Sequence, residues 1–157
     1  IRSFKALHDL HPEIRLLILG EGELRAEFEA LVVDLGLKDV VDLPGFDANP
    51  YAYFKYASLF VLSSNWEGLP GVLIQALASK VKVVSTNCPS GPMEILEHSK
   101  FGLLVECNDQ AGLTQAMQQA IFADYVQYQE ADFEAHIQQF HKQTVLKQYL
   151  RMMESAS

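Results

Sequence analysis

Two hydrogen-bonding side chains, Glu67 and Gln75, bracket the run Gly68-Leu69-Pro70-Gly71-Val72-Leu73-Ile74. An apolar strand over residues 59–62 is predicted to feed a polar loop, Ser63 to Glu67, that ends at Gly68 and Pro70. Pro near the first helical turn is a start signal, because the N–H it lacks would be unpaired there anyway. The apolar residues that follow predict a helix to about Ser79. A strand, a Gly-containing turn and a helix leave unpaired backbone N–H groups pointing off the strand end, an arrangement that binds anions, phosphate above all. Glu67 beside those groups would repel a phosphate, whereas it accepts hydrogen bonds from hydroxyls. Gln75 follows Gly71 by four residues, about one helical turn, so it shares that side of the helix, and its amide also bonds hydroxyls. Phosphate at the helix start, with hydroxyl-binding groups on either side, describes a site for a sugar nucleotide.

Other residues with chemical capacity give weaker signals. Gly20-Glu21-Gly22 opens like a dinucleotide fingerprint, but Arg25 stands where the third Gly belongs, and Glu21 and Glu23 would set negative charge beside a pyrophosphate. A plain strand-to-helix turn is therefore preferred to a dinucleotide-binding Rossmann site. Ser90 reads as a helix cap or, with Gly91, as lining of a cleft. Trp66 reads as packing in preference to base stacking. Cys88 and Cys107 lack metal-ligand spacing and read as reduced thiols. The histidines at 8, 11, 98, 136 and 141 pair with no Cys or Asp at ligand spacing, so they read as surface residues and no metal is expected.

Placing the Glu67 loop at a strand end requires alternating strands and helices. The pattern predicts an amphipathic helix over residues 1–10 and a strand at 15–19. A helix to about 35 closed by Gly36, a strand at 40–43 closed by Pro44-Gly45, and a short helix from Asn49-Pro50 to 57 follow. After the strand at 59–62 and the central helix come a strand at 81–85, a short helix to about 97, a strand at 102–105, and a helix capped by Asp109 that runs to 122. Short, nearly all-apolar strands suit a parallel sheet covered on both faces. The alternation predicts an α/β fold, a doubly wound parallel sheet with Rossmann-like topology, whose ligands lie beyond the carboxyl ends of the strands. The loops at 20–22, 67–71 and 88–92 each follow a strand and are expected along one edge. Residues 123–157 contain no Gly or Pro, and stripes at Phe133, Ile137, Phe140 and at Val145, Leu146, Tyr149, Leu150, Met153 predict two C-terminal helices after a domain of residues 1–122.

A length of 157 residues fits one domain, and 49% hydrophobic residues support a substantial core. The formal net charge of −8 argues against a nucleic-acid partner and supplies no polybasic patch for a membrane surface. No apolar run approaches the ~20 residues of a membrane span. No signal peptide is read, and Ile1 in place of Met reads as a fragment or a processed start.

Glu67-Gly68-Leu69-Pro70 and Gln75-Ala76-Leu77-Ala78 resemble the motif of the group 1 glycosyltransferases, glycosyltransferase family 4, in which two glutamates are separated by seven residues; Glu67 is the first, and Gln75 stands at the second. The resemblance extends from about Arg15 to about Ile121 and is to the C-terminal, donor-binding half of a GT-B enzyme. It implies that Glu67 is the catalytic residue and bonds hydroxyls of the transferred sugar. The backbone from Gly68 through Leu69, Pro70, Gly71 and Val72 to Leu73 would hold sugar and diphosphate, Gln75 the ribose, and Gly22, Ser90 and Gly91 would border the cleft. The implied reaction is transfer of a sugar from a nucleoside diphosphate, UDP by default, to an acceptor hydroxyl with retention of configuration and no metal or other cofactor, in polysaccharide or glycoconjugate biosynthesis. The resemblance also implies a first strand, a diphosphate-binding Arg and Lys, and an N-terminal acceptor-binding domain, all upstream of Ile1. The C-terminal helices would dock on that domain, the acceptor would be a lipid-linked saccharide, and the protein would be cytoplasmic, peripheral at the inner face of the membrane through the missing domain. Lacking those parts, the 157 residues alone are expected to be inactive. Two departures stand out. A neutral Gln75 in place of Glu should weaken the ribose contact by ~1–2 kcal/mol, which keeps a non-catalytic sugar-nucleotide-binding or regulatory module as the alternative. Lys80 and Lys82 replace the usual Gly and Pro, and Lys in a left-handed cap costs roughly 1 kcal/mol relative to Gly.

Overall fold

The structure is a computed structural model that describes residues 1–123 and 128–155. In chain order the elements are α1 (Arg2–His8), β1 (Leu16–Leu19), α2 (Arg25–Asp34), β2 (Val41–Gly45), α3 (Tyr51–Phe54), β3 (Phe60–Leu62), α4 (Gly71–Ala78), β4 (Val83–Thr86), α5 (Pro92–Ile95), β5 (Leu103–Val105), α6 (Gln110–Phe122), α7 (Glu130–Gln138) and α8 (Lys142–Ser155). Strands and helices alternate as the apolar pattern requires, and every strand pairing is parallel. The parallel α/β arrangement expected from the alternation holds, with the described strands in two sheets. β1 pairs only with β2, while β3, β4 and β5 form a second sheet in that order.

The three-stranded sheet positions the Glu67 loop. Its central strand β4 is buried along its whole length, and successive residues face opposite sides, as the two-residue period of a strand dictates. Val83 joins Leu73, Ala76 and Leu77 of α4 and Ile95 of α5 in one core. Val84 joins Val105, Ala116 and Ala120 in another, beneath α6. The small Ala116 and Ala120 let α6 lie close to the sheet, and the Asp109 carboxylate caps that helix by accepting the Gly112 N–H at 2.8 Å. A third core, Phe4, Val32, Leu37 and Val41, surrounds the two-stranded sheet. α1 ties the two parts together: Ser3 Oγ donates to Gln110 O and Thr114 Oγ1 to Ser3 O, each at 3.2 Å.

The two C-terminal helices behave differently. α7 buries Phe133 against the core of α4 and α5, with Ile137 and Phe140 packed beside it. α8 leaves Leu146, Tyr149, Leu150 and Met153 exposed. The domain boundary drawn after residue 122 adjoins residues 124–127, which lie outside the described residues. The reading of all five histidines as surface residues is also corrected. His136 stacks on Phe101 with ring centroids 4.4 Å apart and donates through Nε2 to Ile95 O at 2.7 Å; His11 stacks on Phe122 at 4.1 Å.

Candidate functional site

β3 ends at Leu62, and α4 begins at Gly71, with Pro70 as its N-cap in an extended conformation and no side chain capping it. The first bond of this turn is Leu73 N–H to Pro70 O at 3.0 Å. The N–H groups of Gly68, Leu69, Gly71 and Val72 donate to no described residue, and all four residues are exposed. A row of unpaired donors at a helix start with no capping side chain offers the hydrogen bonds and the dipole that an anion would use. The turn is therefore open, as the sugar-nucleotide reading requires.

Glu67 sits half-buried at the entrance to that turn. Its Oε1 accepts the Ser64 hydroxyl at 2.7 Å, which leaves Oε2 and most of the carboxylate's acceptor capacity for other hydroxyls. Ser64 is itself held: Thr86 Oγ1 lies 2.5 Å from Ser64 O and 3.3 Å from Leu62 O, and Cys107 Sγ lies 3.9 Å from Ser64 O. Thr86 is buried at the carboxyl end of β4. Gln75 is half-buried one turn into α4, and its side-chain amide bonds no other described residue.

The loop at 88–92 meets the loop at 67–71. A Cβ on Gly91, whose φ is +83°, would lie 2.5 Å from both Gly68 O and Pro70 Cδ. Only Gly fits there, for its φ and for its lack of a side chain. Gly91 is also the N-cap of α5, without a side-chain bond, so Ser90 does not act as the cap; it stands exposed beside the loop at φ +67°. Gly22 follows β1, in the other sheet, and a Cβ built on it would meet nothing within 4 Å. The structure thus joins two of the three loops expected along one edge, and among the described residues no backbone hydrogen bond joins Gly22 to them. Trp66 is 82% exposed, so the packing reading does not hold. Burial, with the nearby Cys107 and Glu67, pushes the Cys88 thiol up from its ordinary pKa. Among the described residues no three His, Cys, Asp or Glu side chains lie where a metal ion could be held, and no helix is long and apolar enough to cross a membrane.

Sequence reasoning missed Ser64 and Thr86. Ser64 carried a weak signal, the S-x-x-E spacing to Glu67 that usually marks a helix start. Thr86 carried none, because its approach to Ser64 depends on the β3–β4 register, Leu62 opposite Ser85.

Comparisons with known proteins bear on the family and the fold. The family described as glycosyl transferases group 1 matches residues 1–147. An uncharacterized glycosyltransferase of Methanocaldococcus jannaschii is 45% identical over 96 residues, 61% of this chain and 24% of the relative. The N-acetylgalactosamine-N,N'-diacetylbacillosaminyl-diphospho-undecaprenol 4-alpha-N-acetylgalactosaminyltransferase of Campylobacter jejuni is 40% identical over 113 residues, 72% of this chain and 31% of the relative. The chain therefore spans about a quarter to a third of the length of these two relatives. Among solved structures, a TarM variant of S. aureus in complex with fondaparinux, alpha-GlcNAc-glycerol and UDP superposes with a TM-score of 0.84 at 22% identity, over 95% of this chain and 31% of that one. Anabaena HepE in complex with UDP gives 0.79 at 21% identity, over 98% and 44%. At these identities the structural likeness speaks for the fold alone.

Proposed function

The chain belongs to the group 1 glycosyl transferases and has the fold of a GT-B C-terminal domain, and from that premise we propose that it is the donor-binding half of a retaining enzyme that transfers a sugar from a nucleoside diphosphate to an acceptor hydroxyl. In the reaction the anomeric C–O bond to the diphosphate breaks, the acceptor oxygen bonds the same carbon, and nucleoside diphosphate and a proton are released. The observation that carries this reading is the row of unpaired N–H groups from Gly68 to Val72 beside the Glu67 carboxylate. The N–H row would hold the diphosphate and steady its charge as it departs. Glu67 would grip sugar hydroxyls and orient the anomeric carbon. Gln75 would meet the ribose, and Gly22, Ser90 and Gly91 the rim.

UDP as the donor nucleotide is supported by the UDP-containing neighbours TarM and HepE. A lipid-linked saccharide acceptor, and with it work at the inner face of the membrane, is supported by the diphospho-undecaprenol named for the Campylobacter relative. Metal independence belongs to the same reading. No Lys or Arg occurs between Lys55 and Lys80, or between Lys82 and Lys100, so neither site loop supplies a cation to the diphosphate. The reading assigns that task to an Arg and a Lys outside these residues, and acceptor binding to a further domain.

Calorimetry of the longer protein with UDP-sugars, set beside its Glu67→Gln variant, tests the assignment. Saturable binding, and transfer that falls at least about 100-fold in the variant, support it; wild-type transfer by the variant overturns the role of Glu67. The 157 residues alone, mixed with labelled donor and acceptor, are expected to give no transfer above background. Gln75 favours a second reading, a sugar-nucleotide-binding or regulatory module that has lost turnover. If Gln75→Glu strengthens donor binding about tenfold and raises turnover, the protein is an enzyme with a weakened ribose contact; no turnover in either form favours the module.

A further inference from the structure

We propose that Ser64 and Thr86 are positioning residues for the Glu67 carboxylate: Thr86 pins the Ser64 carbonyl to the end of β4, and the Ser64 hydroxyl aims the carboxylate at the open turn. This rests on the reading of Glu67 as the sugar-binding group.

A glutamate side chain in an exposed loop samples many rotamers, and a carboxylate that must meet hydroxyls of one sugar needs a single aim. Glu67 accepts a side-chain hydrogen bond from Ser64 at 2.7 Å. A hydroxyl carries one proton, so toward a carboxylate at that distance it donates. The bond aims Glu67 only if Ser64 is itself fixed, yet Ser63, Asn65 and Trp66 around it are all exposed. The anchor comes from β4. Thr86 is 5% exposed and ends a strand buried along its length. Its β-branched side chain has few open rotamers, and its Oγ1 lies 2.5 Å from Ser64 O. Cys107, beyond β5, brings a weak S–H donor to the same carbonyl at 3.9 Å. Two strand ends thus converge on one peptide group, and the next polar group outward from it is the Ser64 hydroxyl. The Ser64–Glu67 bond links two half-buried side chains, so its principal consequence is the direction of the carboxylate.

The test uses the longer protein that contains this chain, assayed with UDP-sugar and acceptor. Ser64→Ala is expected to lower kcat/KM about tenfold, mostly in kcat. In a Glu67→Ala background the same change should move activity less than about twofold, because no acceptor remains for Ser64 to aim. Thr86→Val should follow Ser64→Ala, and Thr86→Ser, which keeps the hydroxyl, should restore activity to within about twofold of wild type. Wild-type kcat in Ser64→Ala overturns the proposal. So does an equal loss in both backgrounds, which marks a general structural role, or a Thr86→Ser variant as impaired as Thr86→Val. If Glu67→Gln turns over like wild type, the assignment of Glu67 fails and the positioning claim falls with it, an outcome distinct from the others. Should Thr86→Val fail to fold, Ser64→Ala in the two backgrounds decides alone.

Discussion

Gly91 bears the tightest steric constraint in the site. Any side chain there would enter the space of Gly68 O and Pro70 Cδ at 2.5 Å and would have to adopt φ +83°. Gly91→Ala is therefore expected to displace the turn that presents the free N–H groups, lowering stability by about 1–3 kcal/mol and weakening UDP-sugar binding. Gly22→Ala, with nothing within 4 Å of the added Cβ, should leave stability nearly unchanged, and denaturant melts compare the two. The thiols differ in the same site-dependent way. Cys88 is 2% exposed and its pKa is raised by burial, whereas Cys107 is partly open. A thiol alkylating reagent near pH 8 should therefore label Cys107 first and Cys88 only on unfolding, which mass spectrometry of timed samples reads out. Residues 67–75 were legible in the sequence because the loop and its helix are contiguous, so spacing alone places Glu67, the N–H row and Gln75. The hold on Glu67 was not, because Thr86 reaches Ser64 across 22 positions of chain.

Element ends show where sequence rules work and where tertiary contacts take over. Lys80, expected to strain the end of α4, does so: its φ is +58°. It also pairs with Glu130 of α7, with both side chains 58% exposed. An exposed pair contributes little, whereas relieving a left-handed Lys gains roughly 1 kcal/mol. Lys80→Gly should therefore raise stability by somewhat less than ~1 kcal/mol, and Glu130→Gln should be close to neutral, both by denaturant titration. Between β2 and α3, Asp47 accepts the Asn49 N–H and the Tyr53 hydroxyl, each at 2.8 Å, and these bonds lower its pKa from the ordinary 3.8. A lowered carboxylate contributes its tether above the unfolded value and loses it as pH falls through the folded one. Tyr53→Phe should move the Asp47 titration back toward 3.8, measurable by carboxyl carbon NMR. Element types were legible because the strands of the three-stranded sheet are short apolar runs and the helices α3 to α6 start at Pro or Asp. α7 was less so. Its stripe could serve any apolar surface, and the packing of Phe133 beside Phe101, with His136 bonded to Ile95 O, shows that it covers this domain.

Taken together, the two sheets show an incomplete strand order. Written across, the strands run β2-β1 and then β3-β4-β5, all pairs parallel. A doubly wound sheet of two mononucleotide-binding halves has the order 3-2-1-4-5-6. The observed strands fill every place in that order except the first, and the vacant place falls between β1 and β3. α1 packs on α6 and leads into β1, as the crossover from such a first strand would. In the described chain Leu17 of β1 is 42% exposed, an unusual state for a strand that doubly wound packing covers on both faces. Our reading therefore puts one parallel strand, from a segment preceding Ile1, between β1 and β3. The backbone names the amides that respond. Leu16 and Gly20 donate to Val40 O and Gly45 O on the β2 side, and Phe60 donates to Lys82 O on the β4 side. By alternation along a strand, the N–H groups of Leu17, Leu19 and Val61 face the other way. Hydrogen exchange is expected to be fast at those three amides in the 157-residue chain and at least about 100-fold slower in the longer protein. Leu16 and Phe60, already bonded, should slow only by the gain in global stability. If Leu17, Leu19 and Val61 exchange at the same rates in both proteins, no strand enters that place. The upstream source proposed for the first strand would then have to be abandoned, while the roles assigned to Glu67 and the α4 turn would stand on their own tests.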